Sequence, residues 1–79
     1  MRTAVEMPHY AADAESGRIV EWMKRPGDAV ERGEPLVEIE TDKANLDVEA
    51  MVAGVLDEIV HGEGDEVPVG EVIGWIREA

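Results

Sequence analysis

The residues best placed to do chemistry lie around Lys43, one of only two lysines among the 79 residues. Lys43 sits in the stretch "IETDKANLDV", which covers residues 39–48. Carboxylates flank it on both sides, at Glu38, Glu40, Asp42, Asp47 and Glu49. Such neighbours favour the charged amine, whereas a lysine nucleophile must be deprotonated. Lys43 is therefore better suited to being acylated by another enzyme than to attacking a substrate, although its spacing alone favours an ordinary solvated turn lysine.

The rest of the chain offers little chemistry of its own. There is no cysteine, so the chain has no disulfide, no thiolate zinc site and no sulfur redox chemistry unless such a group is attached. His9 and His61 are far apart in the sequence, and no nucleophile–base motif accompanies either. The carboxylates do not follow calcium-loop spacing. The sequence therefore predicts no catalytic residues and no metal site.

The strongly acidic composition limits the partners. The net charge is −12 and the isoelectric point is near 4.3, so the surface repels phosphate backbones and anionic lipids. We predict no nucleic-acid and no membrane partner, and expect the isolated domain to be a monomer. The acidity fits a carrier drawn to a basic docking face and fits a merely soluble domain equally well. Without a transmembrane-length apolar run or a signal peptide, we expect a cytoplasmic protein, or a mitochondrial matrix protein in a eukaryote.

The chain repeats itself at an offset of 37 residues. From position 17 to position 39 the register needs no gap, and the matched residues are mostly turn formers and core formers. The identical pairs are Gly17/Gly54, Glu21/Glu58, Gly27/Gly64, Asp28/Asp65, Val30/Val67, Gly33/Gly70, Glu34/Glu71 and Ile39/Ile76. The length fits one domain, 1–79, with repeat halves of about 1–40 and 45–79.

Short strands separated by turns are predicted within each half. Pro26-Gly27 suits a type II turn, Gly33 marks a second turn, and no segment keeps a helical period. The clearest strand is 45–50, with the side chains at 46, 48 and 50 facing inward. The segments 19–24 and 56–60 alternate poorly, so their faces stay unassigned. Met7, Met23 and Met51 are expected to fill the core. The pattern favours an all-β sandwich or flattened barrel.

Lys43 falls at the tip of a predicted β-hairpin. Segments 36–41 and 45–50 flank Asp42, Lys43 and Ala44, at the junction of the two halves. In a two-fold arrangement the opposite end would hold the chain termini. The first half also has a longer loop, Pro8–Ser16, with about six residues that the second half lacks. This loop is a candidate for partner recognition, or else a tolerated insertion.

These residues resemble a known family. "EIETDKANLDVEA" closely resembles the lipoylation site of lipoyl domains in the acyltransferase (E2) components of 2-oxo acid dehydrogenase complexes. "MPHYAADAESGRIVEW" resembles that family's opening strand and loop, and "KRPGDAVERGEPLVEIETDKA" its run into the lysine. "GVLDEIVHGEGDEVPVGEVIGWI" resembles its second half. The resemblance covers nearly the whole chain and implies a flattened β-barrel of two four-stranded antiparallel sheets with quasi-two-fold symmetry.

The resemblance also implies a function. Lys43 would carry lipoic acid in amide linkage, attached by a lipoate ligase or lipoyl transferase that accepts the site through Glu40, Thr41, Asp42 and Ala44. The lipoyl group would be reductively acylated by a thiamine-diphosphate-dependent decarboxylase (E1), pass its acyl group to coenzyme A at the E2 core, and be reoxidised by a flavin-dependent dehydrogenase (E3). The loop that the family often uses for E1 recognition corresponds to Pro8, His9, Tyr10, Ala11, Ala12, Asp13, Ala14 and Glu15.

Two other functions compete with this one. Biotinyl carrier domains resemble the chain in fold and lysine position, but that family typically has Met-Lys-Met, whereas Asp42 and Ala44 flank Lys43 here. An unmodified adaptor used only for assembly would not need the intact Asp-Lys-Ala motif. Which 2-oxo acid is used, and whether the chain is an excised domain or a free-standing carrier, are not decided by the sequence.

Overall fold

The computed structural model describes residues 1–78, and every regular element in this part is a β-strand. The strands are β1 (Arg2–Glu6), β2 (Ser16–Trp22), β3 (Ala29–Val30), β4 (Pro35–Glu40), β5 (Asn45–Glu49), β6 (Gly54–Ile59), β7 (Glu66–Pro68) and β8 (Val72–Arg77). Among the described residues no helix is long and apolar enough to cross a membrane.

The strands form two four-stranded antiparallel sheets. One sheet has the order β1-β8-β6-β3 and the other β5-β4-β2-β7. At each position the two sheets hold strands whose numbers differ by four: β1 matches β5, β8 matches β4, β6 matches β2 and β3 matches β7. The registers agree as well: Thr3 lies opposite Ile76 in the first sheet, as Leu46 lies opposite Ile39 in the second. The predicted fold of two related sheets is confirmed.

Four glycines with positive φ close equivalent turns in the two halves. Gly27 has φ 99° and its repeat mate Gly64 has φ 89°, while Gly33 and Gly70 both have φ 86°. In each turn the residue after the glycine donates its N–H to the carbonyl three positions earlier, as Asp28 does to Arg25 at 2.9 Å. Glycine adopts this left-handed conformation without the clash that a Cβ would cause. The turn predicted at Pro26-Gly27 is therefore present.

Two β-bulges explain why segments 19–24 and 56–60 alternate poorly. The pairing of β2 with β4 shifts between Ile19 and Glu21, and the pairing of β6 with β8 shifts between Leu56 and Glu58. Each shift inserts one residue into the strand, so the inward face is resumed after three residues instead of two. Ile19 and Trp22 are consequently both buried. The two bulges fall at repeat-related positions.

The core lies between the sheets and draws on both halves. Burying each large aliphatic side chain contributes about 1.5–3 kcal/mol. The buried apolar residues are Val5, Met7, Ile19, Trp22, Val30, Leu36, Val37, Ile39, Ala50, Leu56, Val67, Ile73 and Ile76, with Leu46 and Val48 packed against them. The inward face predicted for segment 45–50 is thus confirmed.

The expectation that all three internal methionines fill the core is wrong for two of them. Met7 is only 1% exposed, but Met23 is 43% and Met51 is 74% exposed. Met51 lies two residues beyond the end of the edge strand β5, so no neighbouring strand covers it.

Candidate functional site

Lys43 lies at the tip of the hairpin that joins β4 to β5. The strands pair up to Glu40 opposite Asn45, and Thr41 then donates its N–H to the Ala44 carbonyl at 3.1 Å. This last rung leaves Asp42 and Lys43 as the two tip residues. The Lys43 side chain is 58% exposed. The predicted hairpin and its tip are therefore found where the sequence placed them.

The Thr41 side chain holds the tip together. Its hydroxyl donates to the Ala44 carbonyl at 2.6 Å and accepts from the N–H groups of Ala44 at 3.0 Å and of Lys43 at 3.2 Å. Local side chain–backbone bonds of this kind replace those that a tight turn cannot make itself. No non-glycine residue in the described chain has a positive φ, so Asp42 and Lys43 turn without backbone strain. The sequence motif included Thr41 but did not reveal this role.

The opposite end of the domain holds the chain termini in matching geometry. Glu78 donates its N–H to the Met1 carbonyl at 2.8 Å. Under the two-fold relation this bond is the counterpart of the one between Thr41 and Ala44. Met1 and Glu78 therefore lie where a second hairpin tip would be, which fits the predicted separation of Lys43 from the chain ends.

The long loop between β1 and β2 folds against the lysine tip. Tyr10 donates its hydroxyl to the Ser16 carbonyl at 2.6 Å, and Ala14 donates its N–H to the Ala11 carbonyl at 3.1 Å. The Asp13 carboxylate comes within 3.8 Å of the Lys43 amine. Both side chains are largely exposed, so this contact is weak and does not hold the lysine down.

A polar cleft of about 430 Å³ separates this loop from the root of the hairpin. Its lining includes Tyr10, Asp13, Asp42 and Glu66. Partial burial, and then the charges of Asp42, Asp13 and Glu66, raise the pKa of Tyr10. The Tyr10 hydroxyl therefore stays protonated and remains a donor that ties the loop across its base. The sequence named Tyr10 only as one loop residue among several.

Paired side chains fix the strands that carry the tip. The Arg18 guanidinium of β2 bonds the Glu40 carboxylate of β4, with Nε to Oε1 at 2.9 Å. The Asn45 amide of β5 donates to Glu38 of β4 at 2.9 Å. Of the five carboxylates near Lys43 in sequence, Glu40 and Glu38 are thus engaged with strand neighbours instead of the amine.

Neither His9 nor His61 is hydrogen-bonded or ion-paired to Lys43 within the described residues. His61 bonds Glu71 through Nε2 at 2.7 Å. Its repeat mate, Lys24, contacts the equivalent Glu34 at the same 2.7 Å distance. His61 therefore occupies, in the second half, the position that Lys24 occupies in the first. His9 is exposed and lies in the loop between β1 and β2.

The tip meets the steric needs of a covalent attachment. The Lys43 amine makes no hydrogen bond within the described residues, and its closest carboxylate contact is the loose one with Asp13. Amide formation would remove one positive charge without breaking a close ion pair. By contrast, the Lys24 amine is held at 2.7 Å by Glu34 and its side chain is only 24% exposed. The chain thus offers one free lysine and one engaged lysine.

The fold and this tip define a class: a two-fold β-sandwich that presents a single free lysine at a hairpin turn. The chain belongs to the biotin/lipoyl family, because the family model described as "Biotin-requiring enzyme" matches residues 3–76. This family assignment agrees with the resemblance seen in the sequence motifs.

Individual relatives favour the lipoyl branch. The chain is 47% identical over 74 residues to the dihydrolipoyllysine-residue succinyltransferase component of the 2-oxoglutarate dehydrogenase complex of Bacillus subtilis. That match covers 94% of this chain but only 18% of the relative. The solution structure of the lipoyl domain of the 2-oxoglutarate dehydrogenase complex of Azotobacter vinelandii shares 41% identity, with a TM-score of 0.76, over 96% of this chain and 99% of that one.

Close structural similarity is not confined to proteins of dehydrogenase complexes. The crystal structure of Kluyveromyces lactis urea carboxylase has a TM-score of 0.82 to the chain at 26% identity, covering 98% of this chain and 6% of that one. The higher identity to the lipoyl domain, together with Asp42 and Ala44 beside the lysine, supports the lipoyl branch over the biotinyl one.

Proposed function

We propose that Lys43 carries lipoate in amide linkage at Nζ and that the domain is the swinging-arm carrier of a 2-oxo acid dehydrogenase complex. Its partners would be a lipoate ligase or lipoyl transferase, an E1 decarboxylase, an E2 acyltransferase core and an E3 dehydrogenase. The observation that carries the proposal is the free amine of Lys43 at a hairpin tip in a chain 47% identical to an E2 component.

The residues around the tip have three tasks in this function. Thr41 keeps the turn in one conformation, so that a modifying enzyme meets a fixed backbone. The strands β4 and β5 hold that turn away from the core. The loop that Tyr10 closes by its bond to Ser16 supplies a second surface beside the lysine. A partner can bind this surface and the tip at the same time. None of these residues has to react.

The attached group would supply sulfur redox and acyl-carrying chemistry that a chain without cysteine lacks. Tethering raises the effective concentration of the carried group at each partner's active site into the millimolar range without any new contact. Linkage through the amide takes the formal net charge of the domain from −12 to −13. The protein's own contribution is to present, orient and identify the arm.

The first experiment is the mass of the intact protein. The domain is coexpressed with a lipoate ligase and supplied with lipoate, and in parallel with a biotin ligase and biotin. We expect a single lipoyl adduct on Lys43 and none in the Lys43→Arg variant. Lys24 is the internal control, because its amine is engaged by Glu34. Absence of the lipoyl adduct, or a biotinyl adduct in its place, would contradict the proposal.

The second experiment identifies the complex. The lipoylated domain is offered to a 2-oxoglutarate E1 and to a pyruvate E1, each with its own 2-oxo acid, and reductive acylation is followed by mass. We expect acylation by one E1 at a much higher kcat/KM than by the other. The names of the B. subtilis and A. vinelandii relatives make 2-oxoglutarate the first substrate to test. Acylation by neither would remove the carrier role while leaving lipoylation in place.

A further inference from the structure

The structure has a second depression, which is lined by the first residues of the loop between β1 and β2, whereas the polar cleft is lined by Tyr10 and by later ones. It is a groove of about 490 Å³ between the edge strands β1 and β5, which belong to different sheets. Its floor and walls are apolar, formed by Val5, Met7, Leu46, Val48, Met51 and Ile76 among others. The size and the apolar lining are typical of sites that bind small organic groups.

The groove begins close to the attachment point. Leu46, the first residue of β5 that lines it, is three residues from Lys43 in the chain. At the rise of an extended strand this separation is at most about 10 Å. Any group fastened to the Lys43 amine is therefore tethered beside the mouth of the groove, where its effective concentration is high.

The charges around the groove restrict what can occupy it. Glu6, Asp47 and Glu49 line its edges, and they disfavour anionic ligands. A second copy of the chain would bring another net charge of −12, and charged residues along edge strands oppose strand-to-strand pairing. A neutral, apolar and tethered group meets none of these obstacles.

We propose that the groove between β1 and β5 is an intramolecular resting site for the arm carried by Lys43, which takes up its hydrocarbon chain and neutral ring. This inference rests on the proposed lipoylation of Lys43. Burial of each methylene contributes about 0.8 kcal/mol, which competes with the loss of freedom of the arm. The docked arm is shielded from solvent thiols, and it leaves the groove to meet a partner.

Partly exposed apolar side chains at the lysine end of the groove agree with such weak, reversible docking. Leu46 and Val48 pack against the core but are not fully buried. The arm would cover these side chains and remove apolar surface that the protein alone leaves in water.

The test compares three forms of the domain by nuclear magnetic resonance: unmodified, lipoylated, and carrying a genetically encoded acetyl-lysine at position 43. Acetylation removes the same charge but is too short to reach the groove. Intact mass first verifies each form, so a missing lipoyl adduct counts against the proposed function and is seen separately. We expect methyl shifts at Val5, Leu46 and Val48, and nuclear Overhauser contacts between ring protons and the Leu46 methyls, in the lipoylated form alone.

Two variants sharpen the result. Leu46→Thr makes the lysine end of the groove polar while keeping a good strand former, and the amide spectrum verifies its fold. Met51→Asp is the control, because it changes the far end of the same groove, eight residues from Lys43 and beyond the arm. We expect the first variant to lose the contacts between ring and protein and the second to keep them. Lipoyl-induced shifts confined to residues 41–45, as in the acetylated form, would overturn the proposal. Shifts that grow with protein concentration would also overturn it, because they would make a second copy the occupant.

Discussion

Thr41 offers the sharpest test of how the lysine tip is built. Replacing it with Val keeps the branched shape but removes three hydrogen bonds, one donated to Ala44 and two accepted from Lys43 and Ala44. Because the tip is exposed, water replaces part of each bond, and we take about 0.5 kcal/mol for each. The variant should therefore lose about 1–1.5 kcal/mol of the free energy of unfolding.

This loss should be measurable in three ways. For a domain of this size it lowers the melting temperature by roughly 4–10 °C. Amide exchange at Lys43 and Ala44 should accelerate by about tenfold, because 1.4 kcal/mol corresponds to a factor of ten. If the ligase must restore the turn before reacting, its kcat/KM on the variant should fall by roughly five- to tenfold.

The matched control is Thr3→Val, since Thr3 is the only other threonine and bonds Glu78 at the opposite end of the domain. This variant should leave exchange at the tip and lipoylation unchanged. If Thr41→Val gives unchanged amide exchange at Lys43 and Ala44, the hydroxyl does not hold the turn and the reasoning is refuted. An equal loss of lipoylation in both variants would likewise show that the tip is not the cause.

The other predictions concern stability. Lys43→Arg should leave the melting temperature unchanged within about 2 °C, because an exposed tip has little packing to lose; a large drop would make the lysine structural. Gly54→Ala should cost about 3 kcal/mol by denaturant titration, because its Cβ would clash with the backbone carbonyl of Arg77 in β8. Gly62→Ala meets nothing within 4 Å and should be nearly neutral. Hydrogen bonding between Lys24 and Glu34 lowers the Glu34 pKa and raises the Lys24 pKa, so the pair stabilises at neutral pH. Lys24→Gln should therefore lower the free energy of unfolding at pH 7. This loss relative to the protein with Lys24 should disappear as the pH falls below 4.5, the usual pKa of a Glu side chain. A loss that persists at pH 3 would assign the effect to packing.

Local features of this protein were readable from its sequence because they depend on residues close together in the chain. The turn at Pro26-Gly27 needs a glycine with positive φ, and the hairpin around Lys43 needs two alternating segments with a short polar link. The repeat at an offset of 37 predicted the two-fold relation between the sheets, because equivalent turns in the two halves require glycines at equivalent positions.

Other features depended on partners far along the chain. The bulges at β2 and β6 arise from pairing with β4 and β8, so alternation alone could not assign those faces. Met23 and Met51 are apolar residues of a type common in cores. Met23 follows the buried Trp22 and so falls on the outer face, while Met51 lies just beyond the edge strand β5. The bond between His61 and Glu71 became recognisable only through its structural mate in the other half.

The sequence by itself determined that one lysine would stand at a β-turn between two similar halves, since turn and strand preferences act over a few residues. Only the tertiary structure decided what surrounds that lysine. It brought Asp13 to the amine, used Thr41 to fix the turn, and opened an apolar groove between β1 and β5. The physical reason is that strand order and sheet packing set these distances, and both are settled by the burial of the whole core and not by any short segment.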